Sequence, residues 1–375
     1  MKQLSKYKKK KHKLYYRMLL NIFLVYFIIL AETVWNFKDK NLEFPKPSWQ
    51  SFINGTWNSE LEAYLEENIG FHDVLFQVKN QVNLLIGEKM IQNVYITKQG
   101  LMEKVVSDVK PNADMINNYY NYSNISVPIY FILVPTASAI YESNLPANAL
   151  NSNQESFIKA VYADTENGIR CIDTYHVLNS LKDNYIYYRT DSHWTSYGAY
   201  YIYQSAIQKM GFTPVSYQRY VISHLSIDFK GDLYAKTLYH NIKPDILDCY
   251  YYETGGKITS IHAYYQNGNI QERESLYDES ALYSSNTNMY QFYLGQPCEK
   301  LIIQTDLNNG KKLLLYKDDF ADCMIPFLIQ HYSEICVVNL EQTGANFESV
   351  ANVEDYTQVL FLCSVKSWHE LTSDE

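Results

Sequence analysis

The sequence contains no C-x-x-C pair, although it has six cysteines among 375 residues. Zinc sites and dithiol redox sites are usually built from such closely spaced pairs, so the sequence gives little support for either kind of site. Cys171, Cys336 and Cys363 lie in apolar runs and are predicted to be buried thiols. Cys249 and Cys298 lie in polar, loop-like sequence, and a disulfide between them stays an open alternative.

Acidic residues are missing from the start of the chain, where the first one is Glu32. Residues 1–17 carry seven lysines and Arg17. The rest of the chain therefore has 24 bases (32 less 8) against 41 acids, a formal charge of −17. Phosphate binding needs a basic surface, which such an acidic body does not offer. We therefore expect no nucleic-acid partner.

Charge of either sign is also absent from residues 18–31, the first part of the apolar run "MLLNIFLVYFIILAETVW" over 18–35. With two preceding tyrosines the run is about 20 residues long, which is the length that spans a bilayer. Basic residues before a span hold that end in the cytoplasm. The pattern predicts a basic cytoplasmic tail over 1–17, a membrane anchor over 18–35 and an extracytoplasmic body. A cleaved signal peptide and a buried core helix are the alternatives.

The rest of the chain divides by its hydrophobic pattern. Residues 36–92 are predicted to form a linker and amphipathic helices, including two between 58 and 86 that Gly70 separates. Over 93–375, short apolar strands alternate with helices, which predicts an α/β fold with a mostly parallel sheet covered on both faces. Residues 215–300 break this alternation with period-2 patches and are predicted to form an inserted β-rich lobe near the site.

The string "YYRTDSHWTSYGAYY" places Asp191 and His193 two residues apart, just before a helix. In an extended turn, side chains at i and i+2 point the same way. The carboxylate can then hold one imidazole nitrogen while the other nitrogen faces a substrate as base or acid. An aspartate that caps the turn beside a surface histidine is the alternative for so short a match.

A second string, "LLLYKDDFADCMIPFL" over 313–328, predicts a buried strand that runs directly into a helix. Asp318 and Asp319 lie at the turn, where hydrolases often carry a nucleophilic serine. The unpaired N–H groups and the dipole of the helix stabilise a carboxylate at its start. The sequence therefore combines a typical catalytic position with an unusual side chain.

The string "TDSHWTSYGAY" resembles the signature of the DHHW proteins, relatives of the SGNH-hydrolase-like domains that O-acetylate alginate and other exported polysaccharides. Further strings are similar to the family's, among them "VPTASAIYESNLP" (134–146) and "DFKGDLYAKTLY" (228–239), and the resemblance covers roughly residues 44–365. It implies a three-layer α/β/α sandwich of the SGNH type, with His193 as the base and Asp191 orienting it. The family's nucleophile is the serine of a K-D-S-Y-A-N string, whose place Asp319 takes in "KDDFAD".

This resemblance implies a role in O-acetylation of a cell-surface or exported polysaccharide, alongside a multi-pass membrane acyltransferase. It implies no cofactor and no metal. Asp319 fits poorly with an acyl-enzyme, because an acyl group on a carboxylate would be a mixed anhydride that water removes quickly. We therefore expect a catalytically silent relative that keeps the fold and binds a glycan or assembles with partners.

Three alternatives remain open at this point. The chain is an active carbohydrate-modifying enzyme that uses Asp319 differently or uses Cys323, one helical turn further on. Otherwise Asp191, Asp318, Asp319 and Asp322 form an acidic site for a metal or for sugar hydrolysis. In the third alternative, the chain binds a glycan or serves as an assembly partner, without any link to acetylation. Asp322 by itself is expected to be a solvated acid in the first helical turn.

Overall fold

In a computed structural model the chain forms two compact units, Met1–Glu88 and Lys89–Glu375. The structure describes residues 72–106, 109–122, 127–283 and 289–373, with 17, 20, 21, 23–25, 27, 28, 46, 48–54, 56 and 57. Most of the predicted anchor over 18–35 and the first predicted amphipathic helix lie outside the described residues.

The first unit contains two helices with described bounds, α1 (Trp49–Ile53) and α2 (His72–Leu85). α2 matches the second predicted amphipathic helix. It ends just before Gly87, whose φ of +106° is a backbone conformation that favours glycine. Among the described residues, no helix is both long and apolar enough to cross a membrane.

The second unit is built around an eight-stranded sheet. A separate three-stranded antiparallel sheet precedes it, and a two-stranded antiparallel ribbon lies outside it. The strands are β1 (Met90–Ile91), β2 (Val94–Ile96), β3 (Leu101–Glu103), β4 (Ile129–Val134), β5 (Ile169–Cys171), β6 (Val221–Phe229), β7 (Asp245–Tyr251), β8 (Ile258–Tyr264), β9 (Ile270–Glu272), β10 (Lys300–Thr305), β11 (Lys312–Lys317), β12 (Glu334–Asn339) and β13 (Gln358–Ser364).

The main sheet is mixed, which corrects the prediction of a mostly parallel sheet. Its order is β5-β4-β13-β11-β12-β10-β8-β9, and the first five strands are mutually parallel. The last three strands join the edge antiparallel. Two of them, β8 and β9, come from the region assigned to a separate lobe, while β6 and β7 form the two-stranded ribbon. Residues 215–300 therefore extend the sheet as well as forming irregular structure beside it.

Helices cover both faces of the sheet. In the second unit they are α3 (Asp114–Tyr122), α4 (Ala137–Ile140), α5 (Gln154–Ala163), α6 (Tyr175–Ser180), α7 (Ser196–Lys209), α8 (Asp232–Thr237), α9 (Ile325–Leu328), α10 (Leu340–Thr343) and α11 (Val365–Ser373). The bounds of α7 confirm the helix predicted over 195–211. Its cap is also as predicted, since the Thr195 side chain accepts a hydrogen bond from the Gly198 N–H.

Two large apolar clusters form the core of the main sheet, one on each face of the central strands, and a smaller one contains Val94, Leu101 and Leu233. Successive strand residues alternate between the two large clusters, so Ile132 and Leu360 belong to one cluster and Phe131 and Phe361 to the other. All four side chains are fully buried. α7 packs into the first cluster, and α3, α5 and α11 pack into the second. This arrangement gives the three layers of an α/β/α sandwich.

All six cysteines are free thiols in the structure. The suggested disulfide between Cys249 and Cys298 does not form. The Cys249 thiol is buried and donates to the Ser223 carbonyl at 3.7 Å, while the Cys298 thiol donates to the Lys300 carbonyl at 3.5 Å. The second unit therefore depends on packing and hydrogen bonds for its stability, without a covalent cross-link.

Candidate functional site

The turn that follows β11 carries the candidate nucleophile position. β11 lies in the middle of the parallel part of the sheet and ends at Lys317, and a short 3₁₀ helix runs from Asp319 to Met324. Asp318 caps this helix by accepting a hydrogen bond from the Phe320 N–H at 3.1 Å. Open α/β folds place their sites at these carboxyl ends of the strands.

Asp318 also fixes the turn to the neighbouring strand. Its second carboxylate oxygen accepts a hydrogen bond from the N–H of Ser364, the last residue of β13, at 2.6 Å. Asp318 is fully buried, and burial together with the nearby Asp319 carboxylate raises the pKa of Asp318 to about 6. This carboxylate therefore has a structural role and does not face a ligand.

The loop that carries Asp191 and His193 is docked directly onto this turn. The Trp194 indole N–H donates to the Phe320 carbonyl at 2.7 Å. On the other side, the buried Asp245 carboxylate accepts hydrogen bonds from the Thr190 N–H at 2.7 Å and the Thr190 hydroxyl at 2.6 Å. These contacts hold the loop between the ribbon and the sheet, so the position of His193 is set by the fold.

Asp191, His193 and Asp319 lie in one row. Asp191 Oδ1 is 2.6 Å from His193 Nδ1, and His193 Nε2 is 3.0 Å from Asp319 Oδ2. Asp191 is fully buried and His193 is 4% exposed, whereas the Asp319 side chain is 47% exposed. Of the three candidate residues, Asp319 is therefore the one that solvent or a ligand reaches most easily.

The contact between His193 and Asp319 is an ion pair without hydrogen-bond alignment. Although the two atoms are only 3.0 Å apart, His193 Nε2 is buried and has no aligned hydrogen-bond partner among the described residues. The imidazole stacks on Tyr290, with ring centroids 3.8 Å apart and planes 10° apart, and Phe320 packs at 4.9 Å. The Tyr290 and Phe320 rings thus restrict the orientation of the His193 imidazole.

A second acid, Asp232, supports Asp191 from the start of α8. The Asp232 N–H donates to Asp191 Oδ2 at 3.1 Å, and the Asp232 carboxylate accepts from the Ser192 N–H at 2.7 Å. A Cβ at Gly231 would lie 2.0 Å from Asp191 Oδ2, so only glycine allows this close approach. Burial, with the nearby Asp191 carboxylate, raises the pKa of Asp232 to about 6.

The two carboxylates that flank His193 determine its charge. Burial alone lowers the pKa of the imidazole, but Asp319 and Asp191 outweigh burial and raise the pKa well above 6.5. Burial likewise tends to raise the pKa of Asp319, but the His193 imidazolium outweighs it and lowers the pKa to about 2. The site is therefore an Asp–His–Asp row with a protonated histidine between two carboxylates.

We expect His193 to stay protonated at about pH 7.5, where an ordinary histidine is mostly neutral. Imidazole nitrogen shifts in NMR spectra measure this directly. His331 and His369 are internal controls, because burial lowers the pKa of each to about 4 and both should be neutral at the same pH. In Asp319→Ala, one flanking anion is gone and the pKa of His193 should fall. A neutral His193 in the unmodified chain would contradict the ion pair.

The same shifts predict how the pair contributes to stability. The raised pKa of His193 means that its contribution is complete below pH 6.5 and is lost as pH rises through the folded-state value. The lowered pKa of Asp319 means that its contribution is present above 3.8 and is lost as pH falls toward about 2. Asp319→Ala should therefore lower the urea midpoint most between about pH 4 and 6.5.

The structure bears on the Cys323 alternative and on the expectation for Asp322, both in the 3₁₀ helix. Cys323 is 1% exposed, and burial raises the pKa of its thiol to about 12, so it is a buried apolar residue with little thiolate. The expectation for Asp322 is wrong. It is only 9% exposed and forms an ion pair with the buried Lys317, because the turn folds back over the end of β11.

The four carboxylates of the alternative acidic site do not converge on one point. Asp318 binds backbone N–H groups, Asp322 pairs with Lys317, and Asp191 and Asp319 both face His193. Among the described residues, no group of three or more histidine, cysteine, aspartate or glutamate side chains is arranged to hold a metal ion. The geometry therefore favours an Asp–His–Asp arrangement over a metal centre.

Asp319 lies between two clefts. The triad cleft lies on the side of His193 and Asp232 and includes Lys366, and the strap cleft lies on the side of residues 290–298. Asp319 and Glu341 line both of them. A ligand in either cleft therefore reaches the Asp319 carboxylate.

Three residues of the site were not identified from the sequence. Asp232 lies in the quoted string "DFKGDLY", but nothing local indicates that it supports Asp191. Asp245 is 55 residues from Thr190 in sequence and Tyr290 is 97 residues from His193, so each contacts the loop only through the fold.

The structural comparisons agree with this architecture. A solved DHHW family protein from Eubacterium siraeum is 21% identical with a TM-score of 0.62, covering 75% of this chain and 94% of that one. Bacillus cereus PatB1 with a sulfonyl adduct is 17% identical with a TM-score of 0.60, covering 72% of this chain and 94% of that one. At these identities the similarity concerns the fold.

The sequence comparisons are more limited. No curated protein matches the chain. A family model described as DHHW protein matches residues 124–338, which is more than half of the chain. It includes the loop of Asp191 and His193 and the turn of Asp319. The resemblance seen in the sequence is thus confirmed, and the chain belongs to the DHHW family.

Proposed function

We propose that this chain is an extracytoplasmic, catalytically silent member of its family that serves in O-acetylation of a cell-surface or exported polysaccharide. In this role it binds the polysaccharide and works beside a multi-pass membrane acyltransferase, which carries out the transfer of acetyl groups across the bilayer. The chain is held at the membrane by residues 18–35, with the basic tail in the cytoplasm.

The observation that carries the proposal is the ion pair between His193 and Asp319. A base that starts acyl transfer must be neutral and must face a hydroxyl or thiol whose proton it can take. His193 instead faces a carboxylate at 3.0 Å that has no proton to give, and two anions keep the imidazole protonated. The neutral base and the hydroxyl or thiol that the usual serine mechanism requires are therefore both absent from this site.

The rest of the site supports binding without turnover. The loop, the turn and the supporting contacts of Asp232, Asp245 and Trp194 form an ordered frame around Asp319. Two clefts open beside Asp319, and its side chain is half exposed. A chain that had lost all use of this region would not need such a frame, which favours a ligand at the site.

The direct test is turnover of an aryl acetate by the purified full-length chain. We expect a rate no higher than that of Asp319→Ala, because neither protein has a group that can form a stable acyl-enzyme. Turnover by the unmodified chain that disappears in Asp319→Ala would show that the carboxylate is catalytic and would refute the proposal.

Cys323→Ala tests the alternative in which the Cys323 thiol is the nucleophile. Since the thiol is buried and its pKa is about 12, we expect this variant and the unmodified chain to be equally inactive and equally slow to react with a thiol reagent. Turnover lost only in Cys323→Ala would assign the reaction to the thiol.

A further inference from the structure

The two clefts beside Asp319 are the first of four neighbouring clefts on the second unit. The strap cleft shares Leu294, Gly295 and Gln296 with a third cleft, here called the acidic cleft. The acidic cleft in turn shares Ser275, Leu276 and Tyr277 with a fourth, here called the tyrosine cleft. Neighbouring clefts therefore share lining residues, so the four lie side by side in a series, here called the path, that begins at His193 and Asp319.

The wall between the strap cleft and the acidic cleft is held in place by Arg273. Its guanidinium donates to the Leu294 carbonyl and, at 2.9 Å, to the Gln296 carbonyl. A third bond, of 2.8 Å, goes to the Tyr265 hydroxyl. Because several bonds from one side chain fix this segment, the path has a defined shape before any ligand binds.

The far end of the path presents aromatic rings to solvent. Tyr251 is 45% exposed and packs edge-on against Tyr277 at 5.6 Å, and Tyr277 stacks on Phe292 at 4.8 Å. The half-buried Tyr252 accepts a hydrogen bond from the Arg219 guanidinium at 3.1 Å. Rings held in this way offer apolar faces with polar edges, a surface on which the C–H face of a sugar ring packs while its hydroxyl groups find partners.

The charge along the path restricts the ligand. In the acidic cleft, Glu272, Glu274, Asp278 and Glu279 line the walls against one base, Arg273, which is bonded to carbonyls and a hydroxyl. The triad cleft and the strap cleft also have more acids than bases. Such a surface repels polyanions such as polyuronates and favours ligands that are uncharged or carry ammonium groups.

From this arrangement we propose that the four clefts form one groove for a linear polysaccharide that is uncharged or carries amino groups. One sugar unit lies against Asp319 while units further along the same chain pass the acidic cleft and stack on Tyr251 and Tyr252. This inference rests on the proposed function, which supplies a polysaccharide ligand, and adds its charge class and the course that it takes.

The test is calorimetric titration of the purified full-length chain with oligosaccharides of matched length. The probes are β-1,4-linked oligomers of N-acetylglucosamine and of glucosamine and α-1,4-linked oligomers of galacturonic acid, each as the dimer and the hexamer. We expect both amino-sugar hexamers to bind at least about tenfold more tightly than their dimers, because only the hexamers reach past one cleft. Galacturonic acid hexamers should not bind measurably.

Two variants locate the binding. The double change Tyr251→Ala, Tyr252→Ala should weaken hexamer binding about tenfold and leave dimer binding unchanged. Tyr283→Ala is the matched control, since Tyr283 is 86% exposed and lies outside all four clefts. Glu272→Gln with Glu274→Gln should weaken binding of the glucosamine hexamer more than that of the N-acetylated one.

Any of three results would overturn the groove: a galacturonate hexamer that binds as tightly as the amino-sugar hexamers, hexamers and dimers of equal affinity, or equal losses in the Tyr251/Tyr252 variant and in Tyr283→Ala. The absence of binding by every oligomer would also overturn it. Oligomer binding and aryl acetate turnover are measured independently, so a failure of the groove leaves the expected lack of turnover in place, whereas turnover that is lost in Asp319→Ala refutes the proposed function.

Discussion

Asp319→Ser should convert the silent chain into an esterase with at least roughly 10²-fold more turnover of an aryl acetate than the unmodified protein. The change places a hydroxyl oxygen near the position of the Asp319 Cγ, one bond short of the Oδ2 that lies 3.0 Å from His193 Nε2, so the imidazole faces the serine as its base. Removal of a triad serine from a working enzyme costs about 10⁶ in kcat, so a gain of 10² requires only a fraction of full alignment.

The serine variant also restores the protonation state that catalysis needs. Without the Asp319 anion, only Asp191 still raises the pKa of His193, while burial lowers it. We therefore expect the rate to increase with pH as His193 loses its proton and to level off once it is neutral.

Two further variants test the cause of this gain in esterase activity. His193→Ala in the serine background should abolish it, whereas Asp319→Ala alone should show none. A folded serine variant without activity would mean that the surroundings of the turn no longer stabilise the acyl-transfer transition state.

Asp191, His193 and Asp319 could be found from the sequence because the signals that identify them are local. Asp191 and His193 are two residues apart before a well-capped helix, and Asp319 lies at a strand-to-helix turn in a string that resembles the family's. Each of these features depends on neighbouring residues, which a sequence displays directly. The distance between the two strings does not follow from either string alone, and the resemblance supplied it.

The supporting residues could not be found in this way, because they reach the site only through the fold. Tyr290, which stacks on His193, lies 97 positions further along the chain. Asp245, which accepts a hydrogen bond from Thr190, is the first residue of β7 in the ribbon. Nothing in the sequence near either residue indicates that contact. A stacked tyrosine and a buried acid are also common in cores that have no functional site.

The mixed sheet was missed for a related reason. Period-2 patches over 215–300 identify strands but do not show which sheet edge each strand joins. β8 pairs with β10, and β10 pairs with β12, so this region continues the central sheet antiparallel. The acidic cleft takes lining residues from β9 and the segment after it, whereas the tyrosine cleft takes them from β6, β7 and the start of β8.

Asp322 shows how a local rule gives a wrong prediction. Acids in the first turn of a helix are usually solvated, and this was the expectation here. The turn is a 3₁₀ helix that begins at the buried end of β11, so Asp322 faces Lys317 inside the protein. Burial raises the pKa of Asp322 to about 6 even though Lys317 lowers it, whereas the pKa of Lys317 is raised because Asp322 outweighs the effect of burial.

Lys317→Met should therefore lower the free energy of unfolding by about 3 kcal/mol near pH 8, because it leaves the Asp322 carboxylate buried without a cation. Urea unfolding measures this change. The loss should shrink toward pH 5, where the protonation of Asp322 removes the unpaired charge. The sign follows from the raised pKa of Asp322, since the folded state then binds a proton more tightly than the unfolded state and gains stability as pH falls.

The double variant Lys317→Met, Asp322→Asn decides whether the loss comes from charge or from packing. It removes both charges and restores the asparagine of the family's K-D-S-Y-A-N string, so most of the lost stability should return if an unpaired carboxylate is the cause. Lys159→Met is the control, because Lys159 and Glu155 form an exposed pair whose removal should leave the urea midpoint nearly unchanged. A double variant as unstable as Lys317→Met would show instead that the aliphatic stem of Lys317 supports the turn through its packing.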